Sequence, residues 1–139
     1  MLSIKNKSDN MQLPLIMKFT LTIILLILLT SANAIESEDY YNRQFCSEVS
    51  GQPEYRLPDK SRVDCLTDTH AYEADWADGL KVYESIGQSL YYAAETGKQP
   101  GILLLIRKNN SDKHIRKVKR VIENWSLPIK LIIQDVMGG

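Results

Sequence analysis

Asp64 and Glu73 stand on either side of Asp68-Thr69, a dipeptide with the chemistry of a two-residue hairpin turn. In such a hairpin Thr67 pairs with His70 and Asp64 falls directly opposite Glu73. Their Cβ atoms would then be ~5 Å apart on one face. Like charges placed opposite each other destabilise a sheet unless something compensates them. A divalent cation does so naturally, because hard carboxylate oxygens suit Mg²⁺ or Mn²⁺. The same register sets Arg62 opposite Asp75, which leaves two readings for Asp75. It is half of a cross-strand ion pair, or it is a further metal ligand. A slip of one residue would carry all these side chains to the other face.

A second set of polar residues follows. Lys81, Glu84, Gln88, Tyr92 and Glu95 are spaced 3, 4, 4 and 3 apart, one continuous face of a helix. Ile86, Leu90 and Ala93 make the packing side. A stripe of this kind is either a solvated face or the wall of a site. Gln88 and Tyr92 favour the wall, since neither is a usual solvent filler and both can hydrogen-bond a phosphate. Further on, Lys113, Arg116, Lys117, Lys119 and Arg120 make a helix basic enough to track a nucleic-acid backbone, or simply to face water. His70 and His114 show no metal-ligand spacing and read as surface residues.

The elements that must position these groups follow from pattern. Residues 39–50 read as a helix stopping near Gly51. Glu54 to Leu57, Ser61 to Leu66 and His70 to Trp76 read as strands, separated by Pro58-Asp59-Lys60 and Thr67-Asp68-Thr69. Val82 to Thr96 is a helix closed by Gly97, and Gly101 to Ile106 a buried strand. Ser111 or Asp112 caps a helix with Ile115, Val118, Ile122 and Trp125 on its inner stripe. Ile129 to Val136 is the last strand. The expected fold is a single α/β domain: an αβββαβ core around a mixed sheet, with a further helix and a C-terminal strand.

The N-terminal part reads differently. After Met17-Lys18 an apolar stretch runs from Phe19 to Leu29, then Ala32-Asn33-Ala34 precedes acidic residues. This is the layout of a signal peptide with an A-x-A cleavage site. Eleven helical residues span only ~16 Å, about half a bilayer core. Residues 1–34 are therefore expected to be an extension plus a signal peptide, with Met17 a possible start. The mature domain is 35–139, exported to a periplasm or the exterior and not stably inserted in a membrane.

Over 139 residues, Lys+Arg and Asp+Glu are both 17, which excludes a polyanionic tail or a globally basic coat protein. Apolar residues at 44% and charged residues at 24% exclude general disorder. Two cysteines exclude a disulfide-dense miniprotein and a four-thiolate zinc site. The zero net charge hides a split: 35–97 holds 5 bases and 13 acids, and 98–139 holds 9 bases and 3 acids. In an exported chain, Cys46 and Cys65 meet an oxidising environment and are expected to pair, fixing the first helix behind the strand of Asp64.

Arg62-Val-Asp-Cys-Leu-Thr67, Ala71-Tyr-Glu73-Ala-Asp75-Trp-Ala77 and Glu84-Ser-Ile-Gly-Gln88-Ser-Leu-Tyr-Tyr92-Ala93 together resemble the PD-(D/E)XK nuclease-like superfamily, over about residues 40 to 136. The resemblance places its first acidic residue on Asp64, its (D/E)-X-K motif on Glu73-Ala74-Asp75, and the glutamine-tyrosine motif of one branch on Gln88 and Tyr92. It treats Pro58-Asp59 as a turn rather than the motif. Asp75 stands where the motif lysine belongs, and Lys81 at the head of the glutamine helix is the replacement it suggests. Glu48 is the extra ligand some members would draw from the first helix. What the resemblance implies is Mg²⁺- or Mn²⁺-dependent phosphodiester hydrolysis, of DNA, with Asp64, Glu73, Lys81, Gln88 and Tyr92 catalytic. Without a lysine at the site, it implies instead an inactive relative that binds nucleic acid or a protein.

Overall fold

The structure is a computed structural model that describes Pro14 and residues 36–109 and 111–137. The expected signal peptide and its cleavage point lie outside the described residues. The described fold belongs to the unit Ile35–Gly139. It contains helix α1 (Glu38–Glu48), strands β1 (Gln52–Arg56), β2 (Arg62–Leu66) and β3 (His70–Trp76), helix α2 (Val82–Thr96), strand β4 (Gln99–Ile106), helix α3 (Asp112–Asn124) and strand β5 (Lys130–Asp135). The architecture is the expected one: an α/β fold on one mixed five-stranded sheet. Its strand order is β1-β2-β3-β4-β5. The first three strands form an antiparallel meander, and β3, β4 and β5 run parallel. Among the described residues no helix is long and apolar enough to cross a membrane.

Local chemistry explains the boundaries. The Ser37 hydroxyl caps α1 by accepting the Tyr40 N–H at 3.2 Å, and Glu38 and Asp39 sit in the first turn, where carboxylates suit the helix dipole. The turn between β2 and β3 has the two-residue form expected, with the Thr67 N–H donating to His70 O at 2.8 Å. Gly97, at φ 65°, ends α2 in the left-handed region that favours glycine. After Gln99, β4 is apolar to its end because it is a central parallel strand covered on both faces. β1 begins two residues earlier than expected and includes Pro53, tolerated because β1 is a sheet edge.

Two apolar layers follow. On one face Phe45 and Cys46 of α1 pack with Cys65, Tyr72, Ala74, Leu103 and Leu105. On the other, α2 and α3 bring Val82, Ile115 and Val118 against Ile102 and Leu104. Cys46 and Cys65 form the expected disulfide, joining α1 to β2. Gly51 is required beside it: a Cβ there would lie 2.5 Å from Cys65 Sγ and 2.8 Å from Cys46 Sγ.

Three readings on α3 are corrected. Ser111 makes no side-chain cap; its hydroxyl donates to Lys108 O at 2.9 Å. Trp125 is 77% exposed, because α3 ends at Asn124 and the last stripe position falls beyond its final turn. His114 is buried rather than on the surface, and His70 is half-buried, stacked on Tyr72.

Candidate active site

The site lies where β2 and β3 part. Their ladder pairs Leu66 with Ala71 and Cys65 with Tyr72, the expected register, and stops at the next step. There the Asp64 side chain takes over: its Oδ2 accepts the Ala74 N–H at 2.9 Å, satisfying a main-chain donor that a strand carbonyl would otherwise serve. The strand also turns over at this residue. Cys65 packs beneath α1, whereas Val63, two residues away, packs with Leu57, Ala71 and Tyr92. In a regular strand residues two apart share a face. β1 bends at the facing position, where Glu54 has φ 59°. From α1, the Asn42 side-chain amide donates to Asp64 O at 2.9 Å and holds the kink from behind.

The kink leaves the Asp64 and Glu73 side chains lining one cleft, where their charges act on each other. Burial, the charge of Asp64 and the hydrogen bond to it push the Glu73 carboxyl up to about 9. Burial also raises Asp64, against the opposing effect of the Ala74 N–H. In the metal-free protein both carboxyls are thus pushed toward their protonated forms, Glu73 the further. This is what two like charges do when neither water nor a cation separates them.

Both carboxyls open into a cleft of about 430 Å³ lined by Glu38, Arg56, Lys60, Ser61, Arg62, Gln88 and Tyr92 as well. Gln88 and Tyr92 thus reach the site as the helical spacing suggested. Tyr92 is buried and hydrogen-bonded by Gln88; burial and the nearby carboxylates push its phenol up to about 12. Lys81, at the N-cap position of α2, lies outside the cleft lining, and its charge acts on Glu38 and Asp75.

Several placements depart from the sequence reading. Arg62 does not face Asp75. Because the β2–β3 ladder ends before it, Arg62 turns to the other neighbouring strand and pairs with Glu54. Asp75 is instead engaged locally, its Oδ1 accepting the Trp76 N–H at 2.7 Å and its Oδ2 the Ser85 hydroxyl at 3.2 Å. Burial raises its carboxyl. Glu48 is exposed at the far end of α1, and the disulfide fixes it there. The glutamate that α1 does supply is Glu38, one turn before Asn42. Its carboxyl is pushed up to about 7 by burial and by Asp75 and Asp64. Lys113, Arg116, Lys117 and Arg120 are exposed on α3, as either reading of that helix expects, and none lines the cleft.

Sequence reasoning missed Glu38, Arg56, Lys60 and Ser85. Glu38 carried a signal as a first-turn carboxylate, but the reach of α1 to Asp64 is set by Asn42 and the disulfide. Among the described residues, no three His, Cys, Asp or Glu side chains close on one point as a metal cage. The donor set is thus a pair, Asp64 and Glu73, with Glu38 and Asp75 beside it. Mg²⁺ commonly binds through one or two carboxylates completed by water and substrate phosphate, so the residues fit that ion. No family model, curated protein or solved structure matches the chain.

Proposed function

We propose that the chain is an exported, Mg²⁺- or Mn²⁺-dependent phosphodiesterase of the PD-(D/E)XK kind, hydrolysing DNA. The observation that carries this reading is that Asp64, fixed at the strand kink, and Glu73 line one open cleft. A fold that buries two carboxyls against each other keeps them either with a proton or with a cation, and hard oxygens facing an open cleft suit the cation. The fold order and the placement of Gln88 and Tyr92 in the same cleft support the family. The leader pattern and the Cys46–Cys65 bridge support export.

In this reading Asp64 and Glu73 hold the ion, and the Ala74 N–H and Asn42 amide fix Asp64 for that task. The bound ion would polarise the scissile phosphate and lower the pKa of an attacking water. Gln88 and Tyr92 orient the phosphate from α2. Lys81, on the acid cluster's border at the start of α2, supplies positive charge for the transition state, and the helix N-terminus adds to it. Supercoiled plasmid incubated with the protein should be cut with Mg²⁺ or Mn²⁺ and left intact in EDTA. An intact plasmid under every metal condition overturns hydrolysis. Asp75 at the position of the motif lysine favours a second reading, a relative that binds nucleic acid without cutting, and DNA retention without cleavage would identify it.

A further inference from the structure

The acidic segment 35–97 holds five bases: Arg43, Arg56, Lys60, Arg62 and Lys81. Arg43 is paired with Asp39 on α1 at 2.9 Å. Three of the others, Arg56, Lys60 and Arg62, come from the single hairpin β1–β2 and line the cleft that holds Asp64 and Glu73. A segment that needed cations only for solubility would scatter them. Here three of the five line one cleft with the acid pair. Arg62 is used internally by Glu54. Arg56 and Lys60 are exposed and form no ion pair among the described residues.

The hairpin tip that carries Lys60 is built rather than loose. Leu57 is buried against Val63, Ala71 and Tyr92. Leu57 N–H donates to Ser61 O, and Lys60 N–H to Leu57 O, both at 2.9 Å. Lys60 has φ 75°, a left-handed conformation that a non-glycine residue keeps only when its surroundings impose it. Those surroundings include Asp59, which accepts the Ser61 N–H at 2.9 Å, the Ser61 hydroxyl at 2.6 Å and the Tyr91 hydroxyl at 2.5 Å. The Tyr91 bond ties the tip to α2, the opposite wall of the cleft.

We infer that Arg56 and Lys60 form a clamp for a backbone phosphate flanking the one to be cut, an inference that rests on the nucleic-acid reading above. The polymer then runs along the β1–β2 hairpin, not along α3. The basic residues of α3 outnumber the clamp, yet none of them lines the cleft.

Each phosphate contact contributes about 0.9 to the slope of log K against log salt for duplex DNA. Fluorescence anisotropy in EDTA, with labelled DNA and RNA duplexes between 50 and 200 mM NaCl, reads this slope directly. The Arg56→Ala/Lys60→Ala protein should lose about 0.9 from the slope, the share of the one phosphate clamped, while Arg116→Ala/Lys117→Ala on α3 should lose nothing. Circular dichroism confirms folding, and Arg56→Gln/Lys60→Gln repeats the test if the alanine variant does not fold. Slope loss on either duplex establishes the clamp and identifies its polymer. An unchanged slope on both, or no binding of either by the unsubstituted protein, overturns it. Plasmid cleavage with Mg²⁺ runs in parallel. Binding with slope loss but no cutting keeps the clamp and removes hydrolysis; cutting with an unchanged slope does the reverse.

Discussion

Asp64 Oδ2 accepts the main-chain N–H of Ala74 at 2.9 Å, so a side chain occupies the place of a ladder carbonyl where β2 leaves β3. One carboxyl thereby has two tasks. One oxygen completes the sheet, and the group as a whole presents negative charge to Glu73 and the cleft.

The two tasks can be separated by substitution. In Asp64→Asn the amide oxygen still accepts the Ala74 N–H, so the fold should hold. In Asp64→Ala that donor is left without its partner, at a cost of about 1–3 kcal/mol. Chemical denaturation should therefore rank Asp64→Ala below Asp64→Asn in stability. Mg²⁺ should raise the Tm of the unsubstituted protein and leave both variants unmoved. An equal Mg²⁺ shift in Asp64→Asn would remove Asp64 from the metal site.

The metal-free protein should lose stability as pH rises. Folding lifts Glu73 to about 9 and Glu38 to about 7, against an ordinary 4.5 for either in the unfolded chain. Between these values the folded state holds protons that the unfolded state has released, so the stability these two groups contribute is fully present below pH 4.5. It is lost through 7 and then 9. Each group held protonated contributes a slope on the order of 1 kcal/mol per pH unit. A cation replaces those protons, so the Tm gain from Mg²⁺ should grow with pH. Tm measured in EDTA from pH 5 to 9 checks the sign, and a flat or rising curve contradicts it.

The fold was legible because its signals are local. The Asp68-Thr69 turn fixed the Cys65–Tyr72 register, Gly97 marked the end of α2, and a run such as Ile102 to Leu105 has no alternative to a buried strand. The site was legible only as far as that register held. Regular alternation predicts Arg62 facing Asp75, but the turn-over at Asp64 depends on Glu54 on another strand and Asn42 on α1, which no period in β2 reports. Ser85, which donates to Asp75, was hidden for a related reason. A buried serine on a helix reads as a small packing residue until the facing strand is placed. Lys60 looked like an ordinary turn residue, because its place in the cleft lining comes from packing of the hairpin on α2.

The disulfide should act on stability, and Gly51 should report on it. The bridge closes a loop with a sequence separation of 19, worth roughly 3 kcal/mol in the chain-entropy model. Reduction should lower Tm accordingly, and unreduced protein should weigh two hydrogens less than the dithiol. Gly51→Ala would press a methyl against both sulfurs, at 2.5 and 2.8 Å. The substitution should therefore destabilise the oxidised protein more than the Cys46→Ala/Cys65→Ala protein, which has room for the methyl. Equal losses in the two backgrounds would mean that Gly51 is needed for its backbone and not for the space beside the bridge.

Lys81 borders the acid cluster from a different side than Lys60. Its charge lowers Glu38 and Asp75, while Lys60 lines the cleft with Asp64 and Glu73. If Lys81 serves the transition state, Lys81→Ala should reduce kcat by 10²-fold or more, the usual scale for a positioned proton-transfer or charge-stabilising group. The Mg²⁺-induced Tm shift should persist, because Asp64 and Glu73 are untouched. Lys60→Ala should behave differently, weakening KM and the salt slope while sparing kcat, since a clamp on a flanking phosphate contributes equally to ground and transition states. Lys113→Ala, on α3, should change neither. Steady-state cleavage of a short duplex by the three variants separates the roles. A kcat loss in Lys60→Ala with none in Lys81→Ala would move the catalytic cation to the β1–β2 hairpin.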